Sequence, residues 1–290
     1  MKKIFLFVLI VTVMLTAGSL HRPAETVRPA TVAEGLSATF YETADAVPKK
    51  EEPEITPEPT PEPTPEPTPE PTPEPTPEPT PAVDPDRPMV ALTFDDGPGA
   101  YTDDLLDILD QYDVKVTFFM CGSTISSYED TVRRASDSGH EVASHTWSHP
   151  DLNSLSYDGI SKEFSDTRSL IYDVTGKDPK LVRPPYGNTD SEVIAVAENE
   201  GLSLIKWSVD TMDWSVLNAW AVYEHIMNYA YDGAIILCHD IHWTTIEAMD
   251  DTIQWLLDQG YQLVTVSELI TARGGTIEAG VIYHSQDEYY

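Results

Sequence analysis

Residues 88–120 read PMVALTFDDGPGAYTDDLLDILDQYDVKVTFFM. Pro88–Phe94 is a short, nearly continuous apolar run, which predicts a buried strand. Asp103–Tyr112 then repeats its apolar residues with helical period and puts Leu105, Leu106, Ile108 and Leu109 on one face. Val114–Met120 returns to strand character. A strand, a helix and a second strand in this order form a β-α-β unit, and the two strands of such a unit lie parallel.

The same alternation continues downstream. Strands are expected at His140–Ser144, Leu181–Arg183, Leu202–Val209, Ala234–His239 and Gln262–Thr265. Helices are expected at Asp130–Ser138, Tyr157–Thr175, Ser191–Glu200, Asn218–Ala230, Thr245–Gln259 and Val266–Ala272. In the longest of these, Ile160, Phe164, Leu170 and Ile171 face inward. Seven strands, each followed by a helix, imply an α/β fold. The compact span suits an incomplete, distorted (β/α)7 barrel better than an open doubly wound sheet.

Upstream the chain changes character. Lys2 and Lys3 precede an apolar run from Ile4 to Ala17. At about 1.5 Å per residue that run reaches roughly 21 Å, short of a hydrocarbon core of about 30 Å. Residues 1–19 therefore read as a secretory signal, with an uncleaved N-terminal anchor as the rival. Residues 20–55 carry few large apolar side chains and no periodicity, so disorder is expected there. From Thr56 to Pro79 the tetrapeptide Thr-Pro-Glu-Pro occurs six times, followed by Thr80 and Pro81. Proline at every second position enforces an extended, stiff linker over 56–81. The globular part spans 87–273, and 274–290 is a C-terminal tail that either packs on the barrel or dangles, with Val281-Ile282-Tyr283 as its apolar stretch.

Across all 290 residues, 49 Asp+Glu outweigh 17 Lys+Arg, for a net charge of −32. Such a chain repels polyanions, and a nucleic-acid partner is not expected. Two cysteines supply no disulfide framework and no zinc-cluster spacing. Both read as buried thiols.

In a (β/α) barrel the chemistry gathers at the C-terminal ends of the strands. Here those ends carry Asp95-Asp96-Gly97-Pro98, His145-Thr146-Trp147-Ser148-His149-Pro150, Arg183-Pro184-Pro185-Tyr186-Gly187, Asp210-Thr211-Met212-Asp213-Trp214 and Leu237-Cys238-His239-Asp240. Each has an ordinary reading when taken alone. Adjacent aspartates before Gly-Pro make turns. His145 and His149 are spaced i, i+4, which on a helical turn puts both imidazoles on one face. Arg183 would serve in a surface ion pair, Asp213-Trp214 in a capped turn, and His239 as a core histidine. Together they offer one Asp and two His as a facial ligand set for a divalent metal. They also offer a second Asp as base, an Arg to keep it ionised, and a His steadied by an Asp as acid. That set suits metal-assisted hydrolysis of an acyl group.

With these five motifs in this order, the chain resembles the polysaccharide deacetylases of the NodB-homology type, carbohydrate esterase family 4, over residues 87–273. The resemblance implies Asp95 as general base and Asp96, His145 and His149 as metal ligands. It implies Arg183 as the partner of Asp95, and the Tyr186 N–H as a donor to the oxyanion. His239 would be the general acid, tuned by Asp213 with Asp210 as rival. Trp214 and Leu237 would line the pocket for the acetyl methyl group. The implied cofactor is one divalent ion, zinc first, with cobalt or another divalent ion as alternatives.

The expected activity is removal of N-acetyl groups from N-acetylglucosamine in a cell-wall polysaccharide, with peptidoglycan foremost and acetate released. An acetylxylan O-deacetylase on the same scaffold is the alternative, and a non-catalytic wall-binding protein the remote one. The expected partner is a polysaccharide. The chain is expected to be a monomer, secreted or held at the extracellular face of the cell envelope, with the N-terminus as a membrane tether in the anchored case.

Overall fold

The protein is seen as a computed structural model that describes residues 83–288. The expected signal or anchor (1–19), disordered segment (20–55) and repeat linker (56–81) lie outside the described residues. In chain order the elements are β1 Met89–Asp95, α1 Thr102–Tyr112, β2 Thr117–Met120, α2 Gly122–Ile125, α3 Glu129–Asp137, β3 Glu141–Ser144, α4 Tyr157–Thr175, β4 Leu181–Val182, α5 Ser191–Glu200, β5 Ser203–Ile205, β6 Val209–Asp210, α6 Asp213–Val216, α7 Ala219–Tyr229, β7 Ile235–His239, α8 Trp243–Asp258, β8 Gln262–Leu263, α9 Val266–Thr271 and β9 Ile282–Tyr283. Short 3-10 turns cover Leu152–Ser154 and Pro185–Gly187.

The strands pair in the order β6-β7-β1-β2-β3-β4-β5-β9, with β8 on the lower part of β1. Every ladder between named strands is parallel. The curled sheet with helices outside it is the expected incomplete (β/α) barrel. β1 shows how the pleat sorts side chains. Val90, Leu92 and Phe94 enter the core between sheet and helices, where Leu105, Leu106 and Leu109 of α1 meet them. Met89 and Ala91 enter the barrel interior with Phe119, Ala143, Leu181 and Ile235. Period two then carries Thr93 and Asp95 to the interior side as well, at the open end of the barrel.

One expectation needs correction. Leu202–Val209 is not one strand but two, β5 and β6. The backbone changes partner between them: Lys206 N donates to Tyr283 O, whereas Ser208 N donates to Ile235 O. Of the two arrangements left open for the residues beyond 273, the structure has the packed one. β9 pairs with β5, and an antiparallel bridge joins Ser285 to Ala234, just before β7. This segment spans the gap that β5 and β7 leave between them. Ile282 and Tyr283 are buried, and the Tyr283 hydroxyl donates to Thr276 O at 2.8 Å.

Candidate active site

Asp95 ends β1 and is 2% exposed. Its Oδ1 accepts from Arg183 Nη1 at 2.6 Å. Arg183 follows β4 and is itself fully buried. Nη1 also donates to Thr93 Oγ1, Nη2 to Lys206 O and Nε to Ile205 O. The guanidinium lies over the Phe119 ring, 4.1 Å from its centroid. Burial lowers the pKa of this arginine and the Asp95 charge opposes that shift. Four acceptors and an aromatic face compensate a charge that would otherwise be costly to bury.

Asp96 turns away from the strand in a left-handed conformation, φ 70°. Its Oδ1 lies 3.4 Å from His145 Nε2 and 3.3 Å from His149 Nε2. The two histidines do not share a helical face. Thr146 (φ 68°) and His149 (φ 56°) are both left-handed, and Pro150 follows. The i, i+4 spacing converges here through a loop, in place of the helical turn read from sequence. His145 Nδ1 stands 2.7 Å from Arg183 O. A carbonyl can only accept, so Nδ1 carries the proton and the Nε2 lone pair faces Asp96.

These three side chains fit a divalent cation. Their ligand atoms lie within 4.8 Å of one another. Asp96 Oδ1 is buried without a hydrogen-bond partner, which a protein interior tolerates poorly unless a cation answers it. Burial raises the pKa of Asp96, but the neighbouring imidazoles, His145 first and then His149, override it and bring the carboxyl down to about 2. Burial and the neighbouring His145 lower the pKa of His149.

Across the ladder, Asp95 is in register with His239 at the end of β7. His239 Nδ1 lies 2.8 Å from Asp213 Oδ1, and Asp213 Oδ2 accepts from His239 N and Thr245 Oγ1, each at 2.7 Å. Asp213 is fully buried. Burial opposes its ionisation, yet the bond and charge of His239 lower its pKa. Burial likewise opposes the charge on His239, but the Asp213 carboxylate outweighs it, with Asp95 and Asp96 assisting, and raises the imidazole to about 9. Among the described residues the carboxylate bonded to His239 is that of Asp213, not of Asp210. Asp210 Oδ1 accepts from Met212 N. His242 is the N-cap residue of α8, with its ring 6.1 Å from that of His239.

One cavity of about 420 Å³ connects these groups. It is lined by Asp95, Asp96, His145, His149, Pro184, Tyr186, Trp207, Asp210, Trp214, Leu237 and His239. Tyr186 is left-handed at φ 60°, with its ring 4.8 Å from that of His149. All the residues singled out from the sequence thus border this cavity, except Arg183 and Asp213. Those two lie behind it and hold Asp95 and His239. Cys121 and Cys238 are buried free thiols.

Sequence reasoning missed three participants. Trp207 falls within the stretch Leu202–Val209 that reads as one strand; the break between β5 and β6 turns it into the cavity. There it packs against Gly187, where an added Cβ would lie 3.1 Å from its ring. Thr93 and Thr245 looked like ordinary strand and helix residues. For Thr93 a signal existed: it lies two residues before Asp95 on the same face of β1.

The polysaccharide deacetylase family model matches residues 82–205. The peptidoglycan-N-acetylglucosamine deacetylase of Listeria monocytogenes is 44% identical over 181 residues, which is 62% of this chain and 38% of that protein. The peptidoglycan-N-acetylmuramic acid deacetylase of Bacillus subtilis is 44% identical over 188 residues, 64% of this chain and 40% of that protein. The chain thus spans about two fifths of the length of these curated relatives. Among solved structures, a family 4 acetyl xylan esterase from Clostridium thermocellum in complex with a cobalt ion superposes with a TM-score of 0.65 at 35% identity, covering 69% of this chain and all of that one.

Proposed function

The chain belongs to the polysaccharide deacetylase family, and on that premise we propose that it hydrolyses N-acetyl groups from N-acetylglucosamine residues of peptidoglycan and releases acetate. One observation carries the reading. A carboxylate held by a buried arginine and an imidazole held by a buried aspartate meet in one cavity, beside a three-residue metal cradle.

Amide hydrolysis needs a stronger nucleophile than water and a protonated leaving nitrogen. Asp95 is the base. Arg183 occupies its Oδ1 and leaves Oδ2 to take the proton of the attacking water. His239, charged at neutral pH, is the acid; with Nδ1 committed to Asp213, its Nε2–H faces the departing amine. The Tyr186 N–H serves the oxyanion that develops on the acetyl carbonyl. Trp214 and Leu237 receive the methyl group. A divalent ion held by Asp96, His145 and His149 would supply Lewis-acid polarisation and a more acidic water. Zinc or cobalt suits one carboxylate and two imidazoles.

A peptidoglycan substrate places the protein at the cell envelope or outside it. The likeness to an acetyl xylan esterase supports a second reading, in which the same groups cleave acetyl esters. Acetate release from peptidoglycan, chitin oligomers and acetylated xylan, with metal and after chelation, separates the two. Metal-dependent release from the amide substrates is expected. Release from xylan alone would transfer the protein to the esterase reading, and no release from any of the three would remove both.

A further inference from the structure

We propose that Glu163 of α4 is a positioning residue for the metal-binding loop, and that the affinity of the site for its ion depends on it. This rests on the reading of Asp96, His145 and His149 as ligands. Between the two histidines lie Thr146, Trp147 and Ser148. Glu163 Oε2 accepts from both Trp147 N and Ser148 N at 2.8 Å, and Oε1 accepts from Ser148 Oγ at 2.8 Å. One side chain thus holds two consecutive backbone amides and the hydroxyl beside them.

The opposite edge of the loop is held by backbone bonds. Gly122 N donates to Thr146 O at 3.0 Å and Ser123 N to Trp147 O at 2.9 Å. Gly122 is needed for that approach, because a Cβ there would fall 2.5 Å from the Trp147 ring. The same turn reaches the third ligand, since Cys121 N donates to Gly97 O at 2.8 Å, next to Asp96. The loop also stores an unfavourable arrangement in its left-handed Thr146 and His149. Residues of this kind keep such angles only where surrounding bonds over-determine them. A carboxylate is suited to the task, because it accepts all three bonds and carries no hydrogen to misplace.

The consequence for the ion follows from population. An ion that binds only the converged arrangement loses apparent affinity in proportion to the fraction of time the loop spends elsewhere. Removing Glu163 leaves Trp147 N and Ser148 N to water and widens that ensemble.

The test is a cobalt titration followed by visible absorption, with zinc competition against a chromophoric chelator, on the full chain. Glu163→Ala is expected to weaken binding by about 10–100-fold, the range found when groups that orient ligands are removed. Glu163→Asp, which keeps the charge but cannot reach both amides, is expected to weaken it as well and decides the matter if Glu163→Ala does not fold. Glu163→Gln keeps an oxygen for the two amides and is expected to bind within several-fold of wild type. A purely structural role would lower the melting temperature of the metal-free protein and leave the cobalt affinity and spectrum alone; wild-type affinity in Glu163→Ala or Glu163→Asp overturns the proposal. Equal affinity in wild type and Asp96→Ala would instead remove the metal reading, and the proposal with it.

Discussion

Arg183 and Asp95 form a 2.6 Å ion pair with both side chains buried, at the point where β1 and β4 open onto the cavity. The pair fixes which carboxylate oxygen is free to act as the proposed base. Asp95→Asn preserves the shape and removes the proton acceptor. We expect acetate release to fall by about 100-fold or more, with metal stoichiometry unchanged. Wild-type turnover in this variant would refute the assignment. Arg183→Ala strands a buried carboxylate and should cost about 3–5 kcal/mol in urea unfolding.

The Asp213 carboxylate is what raises His239 to about 9. In Asp213→Asn that support is lost and the imidazole pKa falls. The acid form is then depleted at lower pH, so the alkaline limb of the rate profile should move down by about 1–2 units. An unmoved limb would argue that another group donates the proton.

Removal of His149 takes away one of three ligands. His149→Ala should lose more metal affinity than the roughly 10–100-fold typical of residues that only orient ligands. Chelation of the wild type should abolish acetate release, and added zinc or cobalt should restore it. Full activity in stripped protein, verified metal-free by mass spectrometry, would exclude a metal role.

His140 lies far from this chemistry and titrates for a different reason. It is buried between β2 and α3, edge-on to Phe118, with Nδ1 accepting from Val116 N. Burial, with Lys115 and Arg134 nearby and Asp110 opposing, brings it down to about 4. An unfolded histidine protonates near 6.5, so between these values the unfolded chain binds more protons. The stabilisation is complete above about pH 6.5 and is lost as pH falls toward 4, amounting to about 3 kcal/mol. Urea unfolding at pH 7.5 and 4.5 should show a smaller acid loss in His140→Phe than in wild type; equal losses would count against this origin.

Ending the chain at residue 273 removes β9. The buried Ile282 and Tyr283 side chains alone represent about 3–6 kcal/mol, and β5 would gain an open edge. A sharply lower melting temperature is expected. An unchanged one would show that the segment contributes no stability.

Much of this arrangement is legible in the sequence because its causes are local. Tyr157–Thr175 and Ser191–Glu200 are bounded by side-chain caps, Ser156 and Asp190, and by left-handed Gly176 and Gly201. The apolar strands run directly into their polar ends. What escaped notice has non-local causes. Nothing in Leu202–Val209 announces a break, because the break arises where Arg183 draws on Ile205 O and Lys206 O and the backbone exchanges β9 for β7. The histidine spacing suits a helical turn, yet the loop is shaped by Glu163 and Gly122, which lie outside it in the sequence. Val281-Ile282-Tyr283 is too short to show a period, and only the open flank of β5 makes it a strand.

The start of β1 has a practical corollary. Val83–Pro88 enters beside β8 and α9: Asp84 N donates to Gln262, Gln262 N to Pro88 O, and Arg273 to the carbonyls of Pro85 and Arg87. Since β1 runs from there to Asp95, the chain enters at the pole opposite the cavity. A bead, a fluorophore or a fused protein attached through residue 83 would therefore be anchored on the face away from the cavity, and immobilisation by that route leaves the cavity mouth open to an insoluble polymer.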